Sequence, residues 1–107
     1  MEQKEKEVEK GELAFDQLRK LSEEALAHLV TLKSDPNNRI ALLGLLHAIQ
    51  GIRTAADMLS LKGIVDYSGE AERLLATLID GKITITEEIV FCIYDSVEIL
   101  SKMIANW

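Results

Sequence analysis

The chain is predicted to be all-α, an antiparallel up-and-down four-helix bundle, and three observations predict it. Apolar residues recur at three- and four-residue spacing through most of the sequence, the rhythm of helices with one buried face. Helix breakers are scarce, one proline and six glycines in 107 residues, while Leu, Ala, Glu, Lys and Ile dominate. The breakers that do occur, around Pro36, Gly63 and Gly81, leave four segments joined by short connections. Such segments pack antiparallel around a shared core, and this length suits one core.

The elements follow in order. Residues 1–10 are a charged lead-in or frayed helix start with little to bury, and the bundle is expected over residues 11–107. Phe15, Leu18, Leu21, Ala25, Leu29 and Leu32 share a face of a first helix ending near Lys33, with His28 at its flank as a structural or solvent-facing residue. Asp35 and Pro36 suit the cap and first position of a second helix. That helix runs to about Leu61, with Leu42, Leu45, Leu46, Ile49, Ile52, Ala56 and Leu59 inward. After a break at Leu61-Lys62-Gly63, a third helix turns Ile64, Ser68, Ala71, Leu75 and Leu78 inward and ends at Gly81, a natural left-handed terminator. Lys82-Ile83-Thr84-Ile85 reads as an extended connector. Thr86 caps a fourth helix, Glu87 and Glu88 favour its positive end, and Ile85 and Val90 have the spacing of a hydrophobic staple. Ile89, Ile93, Val97, Leu100, Met103 and Ile104 form its inner face, with Cys92 a small buried hydrophobe at the edge.

Composition excludes several functions. The apolar fraction is 48%, the charged fraction 28% and the net charge −6. The acidic balance argues against nucleic acid or an anionic membrane surface as partner and favours one with a basic rim. A single cysteine forms no internal disulfide and no cysteine metal site, so a reducing cytoplasm is expected. The charged N-terminus lacks the apolar stretch of a signal peptide, and no apolar run is long enough to span a bilayer. With two histidines and no Glu-x-x-His pair, a carboxylate-bridged di-iron centre fails. No histidine faces inward as a haem ligand, Cys92 lacks a supporting base, and Gly-rich phosphate loops are absent.

One residue resists the bundle pattern. His47 lies nearly opposite the apolar stripe of helix two, with Gly44 one turn before it and Gly51 one turn after. Interior glycines cost about 1 kcal/mol each relative to alanine. Either they keep the ring reachable, or they let a neighbouring helix approach. Ile40, Leu43 and Met58 share the outward face, an odd place for large apolar side chains unless a partner docks there or the N-terminal segment covers them. Together with Gly44 and Thr54 they are the candidate partner contacts. A neutral imidazole presented to water is a competent nucleophile toward a phosphoryl group.

These residues carry a resemblance. His47-Ala48-Ile49-Gln50-Gly51 resembles the His-x-x-Lys-Gly signature of histidine phosphotransfer domains. The run from Glu72-Arg73-Leu74-Leu75 through Gly81-Lys82-Ile83 is similar to the amino-terminal phosphotransfer domain of chemotaxis histidine kinases. The similarity covers roughly residues 12–104. It implies that His47 accepts a phosphoryl group from a histidine kinase catalytic domain and passes it to an aspartate of a response regulator receiver domain. It implies further that Gly51 leaves room beside the modified ring and that Glu72 orients the imidazole, with Glu70 as the second candidate. The chain then needs no metal or cofactor of its own and is a phosphocarrier rather than an enzyme. A monomer is expected, with self-association through apolar Phe91 and Tyr94 on the outer side of helix four as the open alternative. Gln50 stands where the family usually has lysine, and the interval from His47 to Glu72 is about three residues longer. A scaffolding bundle without chemistry, natural or redesigned, is the other reading, and Gln50 favours it.

Overall fold

The computed structural model describes the backbone of residues 2–81 and 85–106 and the side chains of residues 13–81 and 85–106. Four helices run in order, α1 Glu2–Ser34, α2 Arg39–Met58, α3 Lys62–Ile79 and α4 Glu87–Ala105. Helix α1 packs against α2 and α4, and α3 packs against the same two, so the helices form a ring in which each neighbours those adjacent in sequence, with α4 closing back on α1. This is the predicted four-helix bundle. Among the described residues no helix is long and apolar enough to cross a membrane.

The inner faces follow the 3.6-residue period. Ile64, Ser68, Ala71, Leu75 and Leu78 are all buried on α3, and Ile93, Val97, Leu100 and Ile104 on α4. Leu18, Leu29, Leu32, Leu45, Ile49, Ile52, Leu75 and Leu100 are almost fully enclosed. Fully burying such a side chain contributes roughly 1.5–3 kcal/mol. The buried Ser68 satisfies its hydroxyl within its own helix, donating to the Ile64 carbonyl at 2.6 Å. Ser22 and Ser101 pair across α1 and α4 at 3.2 Å.

Several boundaries depart from the sequence expectation. Helix α1 begins at Glu2, so the charged lead-in is part of the helix backbone. Helix α2 starts at Arg39, not at Pro36, and its cap is Asn38 rather than Asp35, the Asn38 side-chain oxygen accepting from the Ala41 N–H at 3.0 Å. Pro36 instead occupies a turn closed by the Asn38 N–H and the Asp35 carbonyl at 3.1 Å, the position where its fixed φ suits a type I or II turn. Helix α2 ends at Met58, three residues early, because Ser60 takes a left-handed φ of 57°. Gly63 therefore lies inside the first turn of α3. Gly81 terminates α3 with φ 74°, and the Thr86 hydroxyl accepts from the Ile89 N–H at 3.3 Å. Of the expected connector, Lys82, Ile83 and Thr84 lie outside the described residues, and Ile85 packs partly buried against the core.

The α1–α2 hairpin folds back symmetrically about Pro36. Leu21 meets Gly51 and His28 meets Gly44, pairs equally distant from that proline in sequence. Continuing the register brings the end of α2 level with Leu13 and Ala14, which share a groove with Met58. The eleven residues of α1 before Leu13 run on past α2 by about 16 Å at 1.5 Å per residue, and the molecule measures 54 × 22 × 21 Å.

Candidate functional site

The site is built on the outer ridge of α2. Ala41, Leu42, Leu45, Ala48, Ile49, Ile52, Ala55 and Ala56 are its buried residues, and one interior residue of the helix that falls opposite them is His47, which is exposed. Ile40, Leu43 and Met58 are exposed as well, Ile40 to 83%. Thr54, also exposed, bends its hydroxyl back to the Gln50 carbonyl at 3.0 Å. Of the candidate partner contacts, Ile40, Leu43, Thr54 and Met58 are exposed on the same side of α2 as the imidazole, while Gly44 is half-buried.

On one side of this ridge lies α1. A Cβ on Gly51 would fall 2.7 Å from a terminal carbon of Leu21, and a Cβ on Gly44 would fall 2.5 Å from both Cε1 and Nε2 of His28. Of the two readings of Gly44 and Gly51, this contact geometry favours the one in which a neighbouring helix approaches. Both glycines admit α1 side chains, and the helix-approach reading holds. His28 is half-buried as a result. Below Gly51 the same α1–α2 seam opens into an apolar groove of about 420 Å³ lined by Leu13, Ala14, Gln17, Gly51, Thr54, Ala55 and Met58.

On the other side lies α3, which brings Glu72 to α2. Its Oε1 accepts from the Gln50 Nε2 at 3.1 Å. Its Oε2 lies 2.8 Å from the Arg53 Nη1. This second contact is a close ion pair out of line for a hydrogen bond, so the buried Oε2 has no hydrogen-bond partner. Arg53 is 45% exposed and Glu72 18%. The carboxylate assigned by resemblance to the imidazole is thus engaged by two other α2 side chains, and in this arrangement it locks α2 to α3. Glu70 is exposed. Farther along, Arg39 donates to the Ile79 carbonyl at 3.3 Å.

Cys92 is exposed rather than buried, because the α4 core stripe is centred on Ile93, Val97, Leu100 and Ile104 and leaves Cys92 about 100° away. Phe91 beside it is exposed, while Tyr94 is half-buried with Lys33 Nζ 4.0 Å from its ring centre. Among the described residues no three His, Cys, Asp or Glu side chains gather where a metal ion could bind.

Sequence reasoning missed Arg53, His28 and the groove residues Leu13 and Gln17. Arg53 was visible as the residue one turn beyond Gln50. His28 was visible from the symmetric hairpin, which pairs it with Gly44 once Pro36 is taken as the fold point. Fold and site together define a helical bundle that presents one histidine to solvent from the middle of its second helix. No protein-family model matches the chain, and no curated protein is significantly similar to it.

Proposed function

We propose that the chain is a histidine phosphotransfer domain of a two-component or chemotaxis-like relay, with His47 as the phosphoryl carrier. One observation carries the reading: the imidazole stands exposed near the middle of α2, on the outward side that it shares with the exposed apolar side chains of Ile40, Leu43 and Met58. In the first step a ring nitrogen lone pair of His47 attacks the γ-phosphorus of ATP held by a kinase catalytic domain. The N–P bond forms, the bond to the bridging oxygen breaks, and ADP leaves with the electron pair. In the second step a carboxylate oxygen of a receiver aspartate attacks phosphorus and the electron pair returns to the ring nitrogen. Ile40, Leu43 and Met58 hold the partner so that its apolar surface covers the ring and excludes water during transfer. The chemistry belongs in the cytoplasm, where ATP is available.

Incubation with a cognate kinase and ATP labels the protein with an acid-labile, base-stable phosphate, and adding the receiver removes that label. His47→Gln abolishes it. Wild-type labelling of the variant rejects the site.

A second reading is a scaffold without chemistry. The engagement of Glu72 by Gln50 and Arg53 rather than by the imidazole favours it. A scaffold binds its partner equally well after His47→Ala and carries no phosphoryl group.

A further inference from the structure

We infer that His28 is a positioning residue for phosphoryl transfer at His47, standing beside the phosphoryl oxygens as a donor and cation. The inference rests on the reading of His47 as the acceptor. Its first support is geometric. The His28 ring fills the gap over the α2 backbone at Gly44, with Cε1 and Nε2 each 2.5 Å and Nδ1 3.0 Å from the position a Cβ there would take. His47 lies three residues farther along, about 4.5 Å up the axis. Helical side chains lean back over the turn on the N-terminal side of their own Cα. For His47 that turn contains Gly44, so its side chain leans toward the turn that the His28 ring covers.

The second support is that, among the described residues, both cations of α2 already have partners on α3. A phosphoryl group brings about two negative charges and three acceptor oxygens, which favour a charged donor. The α2 cations are Arg39 and Arg53. Arg53 is paired with Glu72, Arg39 donates to the Ile79 carbonyl, and the Gln50 amide is also spent on Glu72. The His28 ring over Gly44 brings a further N–H donor to α2 from α1. Along the same side of α1, Glu24 lies one turn before it, Asp35 lies just past the end of the helix, and His47 is on the neighbouring helix α2. Helix α4 reaches α1 along another flank, through Ser22 and Lys33.

The test uses phosphoramidate, which labels accessible histidines without a kinase. A His47 ring nitrogen attacks phosphorus, the P–N bond of the reagent breaks, and ammonia leaves. Labelling at His47 is followed by site-resolved mass measurement near neutral pH, with folding checked by circular dichroism. His28→Ala slows it about five- to tenfold, the loss of one charge-assisted contact. His28→Lys restores the rate to within about twofold. Gly44→Ala, which drives a methyl group into the ring's place, slows it while removing no ligand atom. A His28→Ala rate equal to wild type, or a His28→Lys rate as slow as His28→Ala, overturns the role of His28 alone. A wild-type protein that stays unlabelled at His47 while a histidine-containing peptide is labelled overturns the acceptor reading and this inference with it.

Discussion

Each glycine beside His47 answers to a particular α1 side chain. The imidazole of His28 is planar and rigid where it abuts Gly44, while the Leu21 methyl near Gly51 can swing aside. Gly44→Ala therefore destabilises by about 1–3 kcal/mol through overpacking, and Gly51→Ala by less, since alanine also recovers up to about 1 kcal/mol of helix propensity. Urea unfolding checks both. In a His28→Ala background the cost of Gly44→Ala disappears, because the clashing ring is gone. Arg53 is partly in water but the Glu72 oxygen it faces is buried, so Arg53→Ala leaves that oxygen without its counter-charge and costs about 1–3 kcal/mol. The exposure of His47, Ile40, Leu43 and Met58 was legible in the sequence, since all four lie opposite a regular stripe. The destination of the Glu72 carboxylate was not, because its partners come from a different helix and depend on the α2–α3 register.

Helix ends were harder to read than helix faces. The segment Asp35-Pro36-Asn37-Asn38 offers three capping side chains, and Pro36 fits either a first helical position or a turn. The turn wins, which moves the cap to Asn38. Asn38→Ala should therefore cost about 1 kcal/mol and Asp35→Ala only a few tenths, as denaturant midpoints will show. At the α2–α3 junction the only glycine nearby, Gly63, is passed over, and Ser60 takes the left-handed conformation. The buried Leu61 next to it holds the bend in place against the backbone cost. Ser60→Gly relieves that cost and should raise stability by about 1 kcal/mol, seen as a higher midpoint of thermal unfolding.

At the scale of the whole molecule the ring of four helices follows from patterning alone: short connections force antiparallel neighbours, and each helix owns one apolar face. The long overhang of α1 did not follow. Charged residues at its start give no inward stripe to count, and only the register at Gly44 and Gly51 shows how far α1 outruns α2. The core is tight enough that truncating one central side chain matters everywhere. Leu75→Ala should lose about 2–5 kcal/mol in equilibrium unfolding without altering the helix order. That core holds α2 rigid, so its outer ridge presents His47 at a fixed place between the α1 groove and the Glu72 clamp. The central claim, that this ridge carries a phosphoryl group, is tested most directly by mapping modification after incubation with a histidine kinase domain and ATP, using mass measurement kept at neutral or basic pH. One phosphoryl group on the peptide containing His47, absent in His47→Gln, is the predicted result. A phosphoryl group on any other residue, or none where the kinase labels its own substrate, contradicts it.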